Sequence, residues 1–328
     1  MANNKLLITA DDYGIFDPID NGILEVADKI DCIDILVTHH TLEKRVKKLF
    51  KLFGDRIEKG ELRLGLHLNL TCGSPQYTAD KAYIRKIAKT GDSGRLEFRR
   101  NSAVTFIPYL DNLLRRCKTG LEKEIEAQYE TFKRVTGREP YHVSSHEGVY
   151  SGHEKLYQLC ASFCKRKGIP MRSPTLSNYI TDDNFESWRV DHQQLLPPKL
   201  LNWMVLVDNG VQVRRWILRK AEGEYIEDLK KGETYGHDFF VEHFFKLGSY
   251  DRLVKLMKRV SETDMGTSKS FEMVVHPVKY KKEVELENVP KGINPKPLKV
   301  RVKEMEALQY ADVKYLRDLY QLGDFPKG

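Results

Sequence analysis

Apolar and polar positions alternate along the first 70 residues in a pattern typical of a parallel sheet covered by helices. Short apolar runs rich in Ile, Leu and Val predict strands over 5–10, 33–38 and 62–70. Between these runs, apolar residues recur every three or four positions, which predicts helices over 19–29 and 42–53. Strands and helices that alternate in this way define the α/β class.

The alternation resumes after residue 120. Helical spacing predicts helices over 121–137 and 152–168, each closed by a glycine of the kind that ends helices. The further predicted elements are strands over 141–145, 169–173 and 271–276 and helices over 251–260 and 302–323. The pattern as a whole therefore predicts an α/β fold.

Two stretches interrupt the alternation. Residues 71–104 are rich in Gly, Ser, Lys and Asp, and we expect an insertion near the mouth of a pocket, with a passive surface excursion as the alternative. Residues 174–235 contain LLNWMVLVDNGVQVRRWILRK, which fits one long helix or two helices separated at Gly210. Because no repeat and no linker sets either stretch apart, we predict one domain over 1–328.

Composition and charge refine this picture only slightly. The chain has 328 residues, 41% of them hydrophobic, and is long enough to bury a sizeable core. Its net charge of +7 comes from interspersed residues, and the densest basic stretch, EKRVKKLFKLFGDR, lies on a predicted helix whose lysines face solvent. This argues against a nucleic-acid partner, while an anionic substrate and a homo-oligomer stay open. The apolar stripe of that helix consists of Leu42, Val46, Leu49, Phe50 and Phe53.

The cysteines indicate a reducing environment. There are five, an odd number, with no CxxC pair, and no secretory apolar segment follows the first methionine. Cys160 and Cys164 lie at helical spacing and are expected to pack in the core. The apolar stretches are far shorter than a membrane span. We therefore expect a cytoplasmic protein with no membrane partner.

The first predicted strand ends in two adjacent carboxylates, in the stretch KLLITADDYG. Asp11 and Asp12 repel each other, so placing both at the tip of a buried strand costs stability unless a cation or a proton relieves the pair. The alternative is structural, since Asp is also a favoured turn residue and helix N-cap. Both interpretations stay open on these residues alone.

The third predicted strand carries a histidine on its polar face. In LRLGLHLNLT the leucines share one face, while His67 and Asn69 point to the other. His146 follows another predicted strand, and His276 ends the last one. Ligands of parallel α/β proteins bind at the carboxyl ends of the strands. Two carboxylates and three histidines at four strand ends are most simply partnered through a metal.

These motifs carry a family resemblance. ITADDYG, GLHLNLTCGSP, EAQYETFKRVTGREPYHVSSH and FEMVVHP resemble, in this order, the signatures of the YdjC-like carbohydrate deacetylases. The resemblance implies a distorted (β/α) barrel related to the polysaccharide deacetylase fold. It also implies a hydrolase that removes the N-acetyl group of an amino sugar or oligosaccharide with one divalent metal ion.

The resemblance assigns roles to residues of this chain. The implied metal ligands are Asp12, His67 and His146, the implied catalytic groups are Asp11 as general base and His276 as a polar or acid group, and Asn69 and Arg172 are expected to bind substrate. Two histidines and one carboxylate suit Zn or another transition metal better than Mg, which the resemblance leaves open. The expected partner is a small carbohydrate.

One motif departs from the resemblance. Members of the family usually show HLDSHHHVH where this chain has HVSSHEGVY, so Ser144 stands in place of an Asp, and Glu147, Gly148 and Tyr150 in place of histidines. Loss of the carboxylate would leave a ligand histidine less well oriented. This departure favours one alternative, a carbohydrate-binding or regulatory protein with a degenerate site. A second alternative is a barrel metallohydrolase that acts on another ester or amide, or on phosphoesters, the last suggested only by the basic charge balance.

Overall fold

The computed structural model describes residues 5–99, 103–150, 154–174, 236–241, 270–280, 296–310 and 321–322, together with a few positions between 223 and 254. Its strands are β1 (Lys5–Tyr13), β2 (Cys32–Ile35), β3 (Arg63–Leu68), β4 (Ala88–Thr90), β5 (Leu96–Phe98), β6 (Val143–Ser145), β7 (Phe239–Val241), β8 (Ser270–Val275) and β9 (Gln321–Leu322). Its helices are α1 (Asp17–Glu25), α2 (Leu42–Glu58), α3 (Lys81–Ile87), α4 (Ala103–Thr136), α5 (Glu154–Lys167) and α6 (Lys296–Tyr310), and a 3-10 turn spans His146–Gly148.

The main sheet has the order β6-β3-β2-β1-β8-β7, with β9 beside the start of β1. All of its pairings are parallel, as in Ile33↔Leu64 and Ala10↔Val275. The sheet is curled, consistent with a distorted barrel, and the predicted α/β class is confirmed. Because these strands run in one direction, their carboxyl ends meet at a single edge of the sheet.

The helix predicted over 121–137 is the second half of a longer one. α4 begins at Ala103 and runs through Gly120, with non-helical backbone at Cys117, φ −139°. A Cβ at Gly120 would overlap the ring of Tyr83, so the glycine lets α3 lie close against α4. The predicted start at residue 121 is therefore wrong, since Gly120 lies within the helix and permits this close contact.

The C-terminal part of the prediction needs a correction. α6 covers Lys296–Tyr310, so it begins before the predicted 302–323. Residues 321–322 form a strand because the backbone of Gln321 pairs with that of Lys5. The predicted helix over 251–260 lies outside the described residues apart from residue 254, and so does most of 174–235.

The amphipathic character of α2 is confirmed. Leu42, Val46 and Leu49 are buried, whereas Lys47 and Lys51 are exposed. All five cysteines are free, as expected, and the two cysteines of α5 are buried. Within the described part of the chain, no helix has both the length and the apolar composition that a bilayer span requires.

The described part of 71–104 starts at the carboxyl edge of the main sheet. The backbone NH of Ser74 donates to the carbonyl oxygen of Thr38, 2.7 Å away, just after β2. The segment then crosses α4, where the Glu124 carboxylate accepts from the backbone NH groups of Gln76 and Tyr77. It contains α3 and the antiparallel pair β4–β5. These contacts are compatible with the expected place near a pocket mouth, which stays a prediction.

Candidate metal centre

The two carboxylates of β1 point into one site because the strand is irregular at its end. In a regular strand, neighbouring side chains point to opposite faces. Here the pairing with β2 shifts register between Ala10 and Tyr13, and Asp12 takes the left-handed φ of +75°. As a result, His67 Nε2 lies 3.7 Å from an Asp11 oxygen and 3.3 Å from an Asp12 oxygen. A positive φ is tolerated by Asp better than by most residues.

Asp12, His67 and His146 form a compact, buried donor set. Their ligand atoms all lie within 4.8 Å of one another. His146 Nδ1 is 2.7 Å from Asp12 Oδ1, and His67 Nε2 is 3.3 Å from the same oxygen. Ligands bound at about 2.1 Å to one zinc ion lie roughly 3.0–3.4 Å apart. The three side chains predicted as metal ligands are therefore brought together. The distance between His67 and Asp12 lies in this range, whereas His146 and Asp12 are at hydrogen-bond distance.

Asp11 lies beside this donor set and is held by an arginine. Arg172 Nη1 and Nη2 donate to its two oxygens at 2.7 and 2.8 Å, a bidentate pair. Burial raises the pKa of the Asp11 carboxyl, but the positive charge and the hydrogen bonds of Arg172 outweigh burial, so that the pKa lies below its ordinary value. Asp11 is thus a buried carboxylate in its ionised form at neutral pH.

The guanidinium of Arg172 is shared by three carboxylates. Besides Asp11, it donates to Asp34 on β2 at 3.0 Å and to Glu272 on β8 at 2.8 and 3.0 Å. Arg172 was expected to bind substrate; its side chain is buried and engaged within the protein, so that role stays a prediction without a contact to support it. The geometry shows a group that fixes Asp11.

Asn69 also has its hydrogen bonds inside the protein. Its side-chain amide donates to Thr38 Oγ1 and to the Cys72 carbonyl, both at 2.6 Å, and its oxygen accepts from the Thr71 backbone NH. The side chain is fully buried and ties the loop after β3 to the end of β2. Its expected role in substrate binding is untested.

His276 lies on the other side of Asp11, where β8 ends. Its Nε2 is 3.9 Å from Asp11 Oδ2, and its backbone NH donates to Glu304 of α6. Burial lowers the pKa of the imidazole, and Arg301 lowers it further, to about 3. His276 is therefore neutral at pH 7.

Charged groups surround the donor set. Among the described residues, the charged groups gathered here include four buried carboxylates, Asp11, Asp12, Asp34 and Glu272, the buried Arg172 and the half-buried Arg301. Burial disfavours the charged form of His146, but the carboxylate of Asp12 outweighs burial and holds the pKa of the imidazole well above its ordinary value, so that without a metal the His146 proton balances Asp12. A divalent cation in the donor set would displace that proton. Glu272 Oε2 is buried without a hydrogen-bond partner in the described structure. The donor set is thus compatible with a divalent metal.

The carboxylate absent from position 144 is supplied by another strand. Ser144 Oγ lies 2.6 Å from His67 Nδ1, and its hydroxyl hydrogen-bonds Asp34 Oδ2. His67 is therefore linked to the carboxylate of Asp34 through the hydroxyl of Ser144. Tyr150, another departure from the family motif, is buried and donates its hydroxyl to the Arg172 carbonyl at 3.2 Å.

Three residues of the site were missed from the sequence. Asp34 in CIDI and Glu272 in SFEMVV are single acids inside apolar strands, and that pattern is itself a signal, because a buried charge needs a partner. Arg301 donates to Asp12 Oδ2 at 3.1 Å from α6 and is an ordinary helix residue in sequence, without any such signal.

Two further groups could hold a cation. Cys32, Asp34 and His142 form one, and Asp11, Asp34 and His67 form the other. Both include Asp34, whose Oδ2 already contacts Arg172, His142 and Ser144. The positive charge of Arg172 opposes a cation there, so that Asp12, His67 and His146 are the better donor set.

Fold and site together define an α/β protein with a carboxylate–histidine centre at the carboxyl edge of a parallel sheet. The profile of the YdjC-like protein family matches residues 5–318, and the chain belongs to this family. This confirms the resemblance carried by the strand-end motifs.

Relatives of known name point the same way. A carbohydrate deacetylase of Brevibacillus brevis is 27% identical over 172 residues, which cover 52% of this chain and 60% of that protein. A chitooligosaccharide deacetylase of Yersinia pestis is 28% identical over 176 residues, 51% of this chain and 58% of that protein. The matches thus span less than two thirds of the length of these relatives.

A solved structure shares the fold. The crystal structure of a candidate cellobiose-phosphate cleavage protein from Enterococcus faecalis has a TM-score of 0.62 to this chain at 19% identity, with 98% of each chain covered. At this identity the likeness shows the fold alone, and it supports the barrel-type architecture over nearly the whole chain.

Proposed function

We propose that the protein is a metal-dependent hydrolase that removes N-acetyl groups from amino sugars or short oligosaccharides. The observation that carries the proposal is the donor set of Asp12, His67 and His146 with an arginine-bound carboxylate, Asp11, beside it. The names of the related deacetylases supply the substrate class. Family membership supports the proposal.

Asp12, His67 and His146 would hold the ion. A divalent metal there would lower the pKa of a bound water and polarise the acyl oxygen of the substrate. Zn or another transition metal suits this set of two histidines and one carboxylate better than Mg. The protein's own contribution is to place the three donors on separate strand ends of one rigid sheet.

Asp11 is the proposed general base. It is ionised, it lies next to the donor set without being one of its three members, and Arg172 fixes both of its oxygens. A base must be unprotonated and aimed at the water that it activates. We therefore assign Arg172 to positioning of Asp11, a different role from the substrate contact expected from the sequence.

His276 enters the reaction as a neutral imidazole, because its pKa lies near 3. It can protonate the departing amine only after it has received a proton. Asp11 Oδ2, 3.9 Å from His276 Nε2, is the nearest described source once that carboxylate has taken the proton of the water. The proton released by the water thus ends on the amine nitrogen.

Acetate release tests the proposal. The purified protein would be stripped with chelator, reloaded with Zn, Co, Ni, Mn or Mg, and incubated with N-acetylglucosamine oligomers of different length. We expect acetate in proportion to bound metal, and none from Asp12→Ala. The matched control is Asp31→Asn, which removes a buried carboxylate that binds the backbone NH of Ile8 at the opposite edge of the sheet. Wild-type protein that binds metal but releases no acetate from any oligomer would refute the proposed reaction.

A second candidate is a carbohydrate-binding or regulatory protein. The observation that favours it is the replacement of family histidines by Glu147, Gly148 and Tyr150 after β6. Isothermal titration with the same oligomers separates the two, since the second candidate predicts binding without acetate release. A phosphorylated disaccharide belongs in the panel because of the name of the structural neighbour, and its hydrolysis would favour the phosphoester alternative.

A further inference from the structure

The metal-facing histidine of β3 is backed by a two-residue chain of hydrogen bonds. His67 Nδ1 lies 2.6 Å from Ser144 Oγ, and Ser144 hydrogen-bonds Asp34 Oδ2. His67 and Ser144 are also paired in register between β3 and β6. All three residues are buried, with at most 1% of the surface of each exposed. Water therefore does not compete for these contacts.

The direction of each hydrogen bond follows from the partners. An ionised carboxylate can only accept, so the single hydroxyl proton of Ser144 goes to Asp34. The hydroxyl oxygen is then left to accept, and the proton between Ser144 and His67 must come from His67 Nδ1. A neutral His67 with a proton on Nδ1 has its lone pair on Nε2. Nε2 is the atom that faces Asp12.

The carboxylate of Asp34 has a site prepared for it. Asp34 is paired in register with Gly65 of β3, two residues before His67. A Cβ at Gly65 would overlap the Asp34 carboxylate and would press on the ring of His142. Arg172 Nη2 at 3.0 Å and His142 Nε2 at 3.1 Å also contact Asp34 Oδ2. Arg172, His142 and Ser144 thus hold the Asp34 carboxylate, and Gly65 leaves the space that it occupies.

We propose that Ser144 and Asp34 are positioning residues that hold His67 in the Nδ1-protonated form and orient its Nε2 towards the cation. In this chain a serine and a carboxylate on different strands do together what one carboxylate at position 144 would do alone. The inference deepens the proposed function, since it takes His67 as a metal ligand. It concerns affinity for the metal rather than the chemical step.

A purely structural role for Asp34 is the competing explanation. Asp34 also neutralises Arg172 and His142, so its removal would disturb the site whether or not it orients His67. Ser144→Ala avoids this problem, because it breaks only the link between His67 and Asp34. The matched control is Ser145→Ala, the next serine of β6, whose hydroxyl accepts from the Tyr150 backbone NH.

The first measurement is the zinc dissociation constant, determined by competition with a chromophoric chelator. Loss of such an outer partner of a ligand histidine typically costs about 10–100-fold in metal affinity. We expect a loss of that size for Ser144→Ala and a change of less than about 3-fold for Ser145→Ala. Equal affinities of the two alanine variants would overturn the proposal.

The second measurement needs no variant that might fail to fold. Long-range ¹H–¹⁵N spectra of histidine-labelled wild-type protein report the protonation of each ring nitrogen, with His67→Ala used to assign the signal. Nδ1 of His67 should carry a proton in the metal-free and in the zinc-loaded protein. An unprotonated Nδ1 overturns the inference, whereas a wild-type protein that takes up no zinc but keeps the Nδ1 proton overturns the proposed function and leaves the hydrogen-bond chain intact.

Discussion

Replacement of Asp11 by asparagine separates a catalytic carboxylate from a structural one. Asp11→Asn keeps the size of the side chain and one oxygen that can accept from Arg172, but removes the negative charge and the proton-accepting capacity. If Asp11 is the base, kcat should fall by about 10²–10⁴, the usual cost of losing a positioned base. That factor corresponds to roughly 3–5 kcal/mol of transition-state stabilisation.

The effect of the same change on stability should be small. Breaking a buried ion pair costs about 3–5 kcal/mol when it leaves the other charge unpaired. Here Arg172 keeps Asp34 and Glu272, at 3.0 and 2.8 Å, so its guanidinium remains neutralised. We therefore expect a loss nearer about 1–2 kcal/mol, comparable to one or two hydrogen bonds, and a fall in Tm of a few degrees.

Three measurements on one protein preparation test this reasoning. Bound metal is measured by elemental analysis, Tm by calorimetry, and acetate release under saturating substrate. Asp11→Asn should keep the metal content and nearly the Tm of the wild type while losing turnover. Normal turnover would show that Asp11 is structural, and loss of the metal together with activity would place Asp11 among the ligands.

Three other changes have definite expected outcomes. Asp12→Ala and His67→Ala should each abolish stoichiometric metal binding with the far-UV spectrum unchanged, and full occupancy in both would refute the donor set. Gly65→Ala should lower the Tm and weaken zinc binding, because the added methyl group would overlap the carboxylate of Asp34. The control is Gly60→Ala, in an open turn with φ +72°, which should lower the Tm without any change in zinc affinity. Burial raises the pKa of Asp20 to about 6, although the charge of Arg45 opposes the rise. Because the folded state holds this proton more tightly than the unfolded state, the resulting stabilisation is fully present below pH 3.8 and is lost as the pH rises through 6. In thermal unfolding at several pH values, the Tm of Asp20→Asn should therefore fall less between pH 4 and 7 than the Tm of the wild type.

The position of the site was predictable because parallel strands share one carboxyl edge. Asp12, His67 and His146 stand at the ends of three strands of the same sheet, and strand alternation was enough to bring them together. The leucines of β3 alternate with its polar residues, and this alternation correctly predicted that His67 points away from the leucine face.

The buried charged residues that surround the candidate metal ligands were not predictable in the same way. Asp34 and Glu272 sit within apolar strands, and the partner of both is Arg172, which lies beyond α5. The strand predicted over 169–173 is only an isolated bridge between Met171 and Val143. Such contacts depend on strand order and register, which hydrophobic alternation does not specify. Arg301 reaches Asp12 from α6, whose side of the sheet no sequence signal identified.

The large sequence separation between the charged groups of the site has a consequence for how the site forms during folding. The negative charges of the site come mostly from the N-terminal strands, whereas the guanidinium groups that neutralise them lie 161 residues away from Asp11 and 289 residues away from Asp12. Contacts of such high sequence separation form slowly, because a long loop must close before they yield any stabilisation. An early intermediate built from β1, β2 and β3 would therefore hold three mutually repelling carboxylates, and these would remain hydrated until Arg172 and Arg301 arrive. If the proposed metal site exists, a divalent ion present from the start would relieve this repulsion, and refolding should be faster than when zinc is added at the end.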